Sequence, residues 1–255
     1  MGSLWGNNQT ELSQMISHHQ LPESVSESSR TIVVSYLSIR RGIGYIGLLL
    51  PLLLGPVGQL MGIQIQDNMS SYYHTVLRDV FVGSMCAIGV FLFCYRGYDW
   101  IETWTGRMGS FFALGVALCP LDANSDPMFQ RTIVGYAHTV FGGGFFLTLA
   151  FYSLYHFPVE PEDGPQQGLS PVDYERNLVY RLSGGVILIA LLTMGAYLFL
   201  LPLDWRAWLN DYNFLFWTEW IAVWAFAAAW LTKGRAIFTS IVLDILSTSR
   251  VFAGH

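Results

Sequence analysis

The fold is decided where residues 70–95 read SSYYHTVLRDVFVGSMCAIGVFLFCY. Hydroxyl groups, two tyrosines, His74 and the pair Arg78 and Asp79 come first, and the sixteen residues that follow them carry no charge. An uncharged apolar run of this kind approaches the length that a helix needs to cross about 30 Å of hydrocarbon. The boundary therefore predicts a helix that enters a membrane, with polar groups placed at its entrance.

The composition of the whole chain supports the same interpretation. Of its 255 residues, 53% are hydrophobic and only 12% are charged, and the mean hydropathy is +0.41. Soluble domains carry about 25% charged residues. The sequence therefore predicts an all-α integral membrane protein, and for a chain of this class we expect no nucleic-acid partner.

Apolar runs of nearly membrane-crossing length recur along the chain. They predict a six-transmembrane-helix bundle with spans near 42–63, 77–95, 106–121, 131–156, 178–201 and 212–232. In this scheme 31–235 is the six-span membrane domain, 1–30 is a polar N-terminal tail and 236–255 is an amphipathic cytoplasmic tail. The segment 31–44, TIVVSYLSIRRGIG, is expected to lie along the membrane interface.

Positive charge predicts the orientation of the bundle. One side of the six predicted spans carries ten of the thirteen Lys and Arg residues: Arg30, Arg40, Arg41, Arg96, Arg107, Arg176, Arg181, Lys233, Arg235 and Arg250. The other side holds only Arg78, Arg131 and Arg206. Because cytoplasmic loops of membrane proteins are rich in Lys and Arg, we expect both termini to be cytoplasmic.

Titratable residues gather at the opposite, outer end of the predicted bundle. His74 and Asp79 open the second span from this side. His138 lies a turn or two inside the outer end of the fourth span, and Glu219 lies about two turns inside the sixth. A charge below the headgroups costs about 2.5–3.5 kcal/mol on insertion scales, so such groups face the protein interior and find partners. The simplest pairing joins Arg78 with Glu219 and Asp79 with His138.

This cluster predicts a polar site that opens to the outer leaflet and binds or processes a lipid headgroup or another small polar ligand. If the site is enzymatic, as in a metal-dependent lipid hydrolase or transferase, the catalytic candidates are His74, Asp79, His138 and Glu219. Zinc or another divalent metal would take His74, His138 and Asp79 as ligands and keep one position open for water.

Three further residues are candidates for binding the ligand itself. Arg78 would hold an anionic group such as phosphate, and Tyr73 and Ser71 lie beside it in the sequence. A second class of function stays open, in which the same polar groups are structural ion pairs. The protein would then be a non-catalytic accessory or scaffold subunit of a larger membrane complex. For its assembly, a homo-oligomer and a larger membrane complex both stay open.

The two classes differ in what they require of the polar groups. A ligand site needs them to face one water-accessible cavity, whereas a scaffold needs them to be mutually paired and dry. A channel or transporter ranks third, because no single span carries polar groups from end to end.

A glycine triplet, Gly142, Gly143 and Gly144, lies in the middle of the fourth predicted span. Each glycine costs a helix about 1 kcal/mol in water relative to alanine. The triplet predicts either a tight helix crossing, where small residues let two backbones approach, or a local break in the helix that coordinates a ligand.

Three stretches carry a resemblance to a known family: SYLSIRRGIGYIGLLLP, SSYYHTVLRDVFVGSMCAIGVFLFCYRGYD and WTEWIAVWAFAAAWLTKG. Together they resemble a group of uncharacterised bacterial six-span membrane proteins over most of residues 33–235, and YYHTxxRDVFVG is the most specific block. The layout more distantly resembles the DRAM and GPI-remodelling-factor superfamily, with a polar segment before span two and a later histidine, as at His138. These resemblances imply a bacterial inner membrane and membrane-lipid biology, with a membrane lipid as the partner.

Overall fold

The computed structural model describes residues 23–97, 99–123, 130–158 and 171–235. The regular structure of these residues is helical, and they contain no strand. The chain forms two units, residues 1–38 and residues 39–255. Of the first unit the structure describes residues 23–38, which form the start of the first helix. Most of the predicted N-terminal tail (1–22) and the whole C-terminal tail (236–255) lie outside the described residues.

Within this part of the chain, six long helices and one short helix follow each other. Helix α1 runs over Glu23–Leu52 and continues through a π-helical turn, Leu53–Val57, to Gly58–Leu60. After a 3-10 helix at Met69–His74 come α2 at Arg78–Cys94 and α3 at Trp100–Leu118. Helix α4 is Ile133–Phe151, extended by a π-helical turn at Tyr152–His156, and α5 is Pro171–Phe199. The short α6, Leu203–Asn210, precedes α7, Phe214–Lys233.

Four of these helices are long and apolar enough to cross a membrane. Their qualifying segments are Tyr36–Leu60, Ile133–His156, Val172–Phe199 and Phe214–Lys233. The prediction of an all-helical membrane protein is therefore confirmed at this level. Helices α2 and α3, with 17 and 19 residues, are not among the four, so the arrangement with six spans stays a prediction.

Helix starts differ from the prediction where polar residues belong to a helix. Residues 23–30 and the segment 31–44, expected to be a tail and an interfacial stretch, form one continuous helix with the apolar residues that follow. Helix α5 begins at Pro171, ahead of the membrane span predicted from 178, and α3 begins at Trp100, ahead of the span predicted from 106. For α3 the reason is local: the side chain of Asp99 accepts a hydrogen bond from Glu102 N at 2.7 Å and caps the helix.

The six long helices form a ring in chain order. Helix α2 packs on α3, α3 on α4, α4 on α5, and α5 on α7. Helix α7 closes the ring by running antiparallel to α1, with Leu231 against Gly44 and Trp220 against Gly55. A Cβ atom at Gly55 would come within 2.6 Å of Trp220 Cζ3, so only glycine permits this approach. At Gly42 the same helix lies against α2.

Helix α1 changes its winding beside this contact. Pro56 has no backbone N–H to donate within the helix. The N–H of Gly58 reaches back five residues to Leu53 O, as in a π-helix. After the wide turn, Gly58 lies against Leu77, where a Cβ atom would be 3.0 Å from Leu77 Cδ1.

Candidate functional site

A cavity of about 300 Å³ lies inside the ring. All six long helices contribute to its lining, together with the segment before α2, and most of the lining side chains are apolar, including Leu50, Phe81, Met85, Val116, Leu191 and Val223. The polar side chains at its wall are Asn68, Ser70, His138, Thr139 and Glu219. Small-molecule sites usually have volumes of roughly 300–1,000 Å³ and combine an apolar wall with a few polar groups, so this cavity is at the small end of that range.

Glu219 lies on α7, five residues after its start at Phe214, and faces the cavity. Its Oε2 atom accepts a hydrogen bond from Met69 N at 2.6 Å, which ties α7 to the 3-10 helix. Asn68 begins that short helix by accepting a hydrogen bond from Ser71 N at 2.8 Å. Among the described residues, Glu219 Oε1 has no hydrogen-bond partner. One carboxyl oxygen is therefore available to a ligand in the cavity.

His138 lies on α4 at the cavity wall and is 5% exposed. Its Nδ1 atom is 2.6 Å from Cys119 O. Because a carbonyl oxygen only accepts hydrogen bonds, Nδ1 carries the proton in this contact. The bond joins α4 to the C-terminal end of α3 and fixes the orientation of the imidazole.

His74 lies outside the cavity but supports its wall. Its Nε2 atom donates a hydrogen bond to Leu121 O at 2.7 Å, and Leu121 lines the cavity. The two histidines thus hold the segment that follows α3 at two carbonyls, Cys119 O and Leu121 O.

Asp122 fastens the same segment to the start of α4. Its Oδ2 atom accepts hydrogen bonds from Arg131 N at 2.5 Å and Thr132 N at 2.9 Å, and its Oδ1 atom accepts one from Thr132 Oγ1 at 2.7 Å. The hydrogen bond from the Thr132 hydroxyl, followed by the one from its backbone, lowers the pKa of Asp122 below its ordinary value. Tyr72, in the 3-10 helix, shifts the other way, because burial raises the pKa of its hydroxyl.

Arg78, Tyr73, Ser71 and Asp79 do not line the cavity. Arg78 Nη2 donates to Tyr73 Oη at 3.1 Å, and its guanidinium lies 4.6 Å from the centre of that ring. Ser71 Oγ donates to Asn68 Oδ1 at 3.1 Å, and Asp79 is exposed in the first turn of α2. The structure thus leaves these candidates, with His74, outside the space that His138 and Glu219 share.

The two expected ion pairs are not formed. Glu219 is bonded to Met69 N rather than to Arg78, and His138 is bonded to Cys119 O rather than to Asp79. The physical reason is that Arg78 and Asp79 are exposed at the start of α2 and do not line the cavity that Glu219 and His138 face, so they have no need of a buried partner.

A metal site at His74, His138 and Asp79 gains no support from the geometry. Among the described residues, no group of three His, Cys, Asp or Glu side chains is arranged to hold a metal ion. Both histidines instead direct a ring nitrogen to a backbone carbonyl.

A second set of buried polar residues lies at the other end of the bundle, where the sequence analysis placed no site. Arg40 Nη2 donates to Tyr95 Oη at 2.8 Å, and Tyr95 Oη donates to Glu102 Oε1 at 2.5 Å. Tyr152 Oη donates to Glu102 O at 3.0 Å. These four residues, here called the Arg40 cluster, join α1, the turn between α2 and α3, α3 and the π-helical turn after α4. None of them is more than 4% exposed.

Aromatic rings fill the space around the Arg40 cluster. The ring of Trp230, which is fully buried, lies 5.4 Å from those of Tyr95 and Tyr152 and 5.1 Å from that of Phe157. Lys233 Nζ donates to Phe157 O at 3.0 Å. One signal in the sequence marks part of this region: the Asp99-x-x-Glu102 spacing has the form of a capping box and indicates a helix start with a carboxylate in its first turn.

Comparisons of the chain with family models, with curated proteins and with solved structures found no match.

Proposed function

We propose that this protein binds a membrane lipid in the cavity, with the polar group of the lipid at Glu219 and its hydrocarbon against the apolar wall. The observation that carries the proposal is the position of Glu219 Oε1, which has no partner among the described residues and faces an otherwise mostly apolar space. A binding site with an apolar wall and one fixed polar group selects an amphipathic ligand.

The chemistry of Glu219 defines the polar group of that ligand. A carboxylate oxygen accepts hydrogen bonds, and the strongest come from charged donors. A hydroxyl or an ammonium group therefore fits Glu219 better than a bare phosphate does. Titratable side chains within membrane-spanning helices are expensive to insert and commonly mark ligand sites, and Glu219 lies in such a helix.

A binding role fits the geometry better than a catalytic one. Glu219 and His138 each bond to a backbone group and not to each other, so no acid–base pair links them. The scaffold alternative expects polar residues that are mutually paired and dry. The Arg40 cluster fits that description, whereas the cavity does not.

The proposed arrangement in the membrane has six spans with both termini in the cytoplasm. At 1.5 Å per residue, α2 and α3 are about 26 and 28 Å long, close to the roughly 27–30 Å of hydrocarbon that a bilayer presents. Their packing within the ring and the one-sided distribution of Lys and Arg support this arrangement. The cavity would then lie in the outer half of the membrane, and the resemblance of residues 33–235 favours a bacterial inner membrane.

The proposal is tested by lipid titration of the full chain, purified in mild detergent, with native mass spectrometry as the readout. The probe is lysophosphatidylethanolamine, which has one hydrocarbon chain and an ammonium group. We expect Glu219→Gln to weaken binding about tenfold, because a charge-assisted hydrogen bond is replaced by a neutral one. Glutamine retains an oxygen for Met69 N, so the fold is preserved.

The matched control is Asp211→Asn, an isosteric change at an exposed carboxylate that does not line the cavity. It should bind the probe as the unchanged protein does. Equal affinity in Glu219→Gln and the unchanged protein, or no binding by either, would contradict the proposed function.

A further inference from the structure

We propose that the lipid enters the cavity sideways, through a gap between α4 and α5 that glycines keep open, and that one hydrocarbon chain occupies this path. The inference rests on the proposed lipid binding and adds to it the route of entry and the shape of the ligand.

The gap is visible at three glycines. Gly142 and Gly143 on α4 and Gly195 on α5 all line the cavity, and a Cβ atom added at any of them would meet nothing within 4 Å. On both sides of the gap the cavity wall includes a residue that is exposed on the surface: Val140 is 68% exposed and Phe199 is 65% exposed. The cavity therefore reaches the outer surface of the ring between these two helices.

The same two helices are in close contact farther along. A Cβ atom at Gly184 of α5 would overlap Leu154 Cγ and would lie 3.2 Å from Ser153 Cβ, in the π-helical turn after α4. Helices α4 and α5 therefore touch near the Arg40 cluster and separate at the level of the cavity. The glycine triplet is accounted for in the same way: Gly144 packs against Phe112, whereas Gly142 and Gly143 leave space.

The occupant of the gap follows from its surroundings. Both helices are long and apolar enough to cross a membrane. The exposed side chains around the gap include Leu147 at 56% and Leu192 at 71%. A slot between two membrane-spanning helices opens to hydrocarbon, and glycine and apolar residues line this slot. The small cavity volume suits part of one chain rather than a complete lipid with two chains.

The positions of Glu219 and of the glycines determine the orientation of the lipid. Its polar end would lie at Glu219, beside Asn68 and Met69, and its hydrocarbon would pass between the glycines of α4 and α5 toward the bilayer. Phe81 and Met85 of α2 and Val223 of α7 line the cavity and are at most 8% exposed. A hydrocarbon chain that stays outside the helix ring cannot reach these three residues.

This difference supplies the test. The full chain is placed in phosphatidylcholine nanodiscs with a lysophosphatidylethanolamine that carries a diazirine on its hydrocarbon chain. After irradiation, the labelled residues are mapped by mass spectrometry. We expect labels on Phe81, Met85 and Val223, and we expect Gly195→Leu, which fills the gap, to reduce them at least fivefold.

The control variant is Gly185→Leu. Gly185 lies on the same helix, a Cβ atom there also meets nothing within 4 Å, and it does not line the cavity. Its labelling should equal that of the unchanged protein. Gly143→Leu blocks the gap from α4 and gives an independent variant, and gel filtration checks that each variant is folded.

Each outcome decides a separate question. Labels confined to exposed residues such as Leu147 and Leu192 would overturn the inference. Undiminished labelling of the cavity in both gap variants would overturn the sideways route, while a loss of binding in Glu219→Gln would leave the proposed function standing. Labelling that depends on Gly195 but not on Glu219 would support the route and remove Glu219 from recognition.

Discussion

The two ends of the helix ring each hold an acidic residue, Glu102 buried and Glu219 partly buried, and the two have opposite surroundings. Glu102 is 2% exposed, and its carboxylate accepts a hydrogen bond from Tyr95. Arg40 in turn donates a hydrogen bond to Tyr95. Glu219 also has one partner, Met69 N, but its second oxygen faces a cavity. An acid inside a membrane protein therefore does not by itself indicate a ligand site. The feature that indicates a ligand site is the cavity beside Glu219.

The comparison separates two uses of buried charge. In the Arg40 cluster, hydrogen bonds to the carboxylate and the guanidinium offset the cost of removing both charges from water. At the cavity only one oxygen of Glu219 has a hydrogen-bond partner, so the cost of removing the group from water is only partly offset. A ligand that donates a hydrogen bond to the other oxygen can offset the rest of this cost.

The largest effect is expected from a substitution in the Arg40 cluster. Glu102→Ala removes the carboxylate that accepts a hydrogen bond from Tyr95, the residue to which Arg40 donates, and the loss of one partner from a buried hydrogen bond costs about 1–3 kcal/mol. We expect a loss of about 3 kcal/mol in the free energy of unfolding, measured by reversible denaturation in detergent micelles. Asp204→Ala, at an exposed acid of α6, should change it by less than about 0.5 kcal/mol. A loss below about 1 kcal/mol for Glu102→Ala would show that the cluster adds little stability.

Two glycine-to-alanine substitutions on α5 are expected to have effects of intermediate size on the free energy of unfolding. Gly184→Ala adds a methyl group where α4 and α5 touch, and overpacking of this kind costs about 1–3 kcal/mol. Gly195→Ala adds the same group in the open gap, where the better helix propensity of alanine favours the fold by up to about 1 kcal/mol. Unfolding measurements on both variants should therefore give shifts of opposite sign. Equal destabilisation would mean that the gap is closed in the membrane.

The smallest effect concerns the segment that forms part of the cavity wall. Hydrogen bonds from Thr132 and Arg131 lower the pKa of Asp122. A carboxyl whose pKa is lower in the folded state stabilises the fold above its unfolded pKa, about 3.9, and loses that contribution as the pH falls through its folded pKa. The difference in melting temperature between the unchanged protein and Asp122→Asn should therefore be constant near neutral pH and shrink below about pH 4.

The control is Asp211→Asn, the same substitution at an exposed carboxylate away from the segment that Asp122 holds. A difference between Asp122→Asn and the unchanged protein that persists undiminished into acid would contradict the assigned role of Asp122.

The positions of the most apolar helices could be predicted from the sequence, because a helix in hydrocarbon needs an uninterrupted apolar run. Predicted spans 77–95 and 212–232 correspond to Arg78–Cys94 and Phe214–Lys233. The start of α3 lies ahead of the predicted span because Glu102 and its neighbours are helical. Their polar groups are compensated by capping and by contacts with distant segments, which apolar runs do not report.

The level of the candidate residues along the bundle could be predicted from the sequence, but the direction in which each side chain points could not. Counting residues from the ends of the spans placed His138 and Glu219 near the same level, and both line the cavity. The same counting also placed His74 and Asp79 there, but it could not show that they do not line the cavity, because the rotation of each helix depends on its neighbours. The bond between Arg40 and Tyr95 joins residues 55 positions apart, and no local pattern indicates such a contact.

The π-helical turn at Leu53–Val57 lets α1 hold one residue more between two of its contacts than ordinary winding would allow. Each residue of an α-helix rotates the chain by about 100°, so a return to ordinary winding at unchanged length would swing Gly58 away from Leu77 while Gly55 stayed against Trp220. Deleting one residue within the turn and restoring ordinary winding should therefore keep both contacts, whereas ordinary winding at unchanged length should lose one of them.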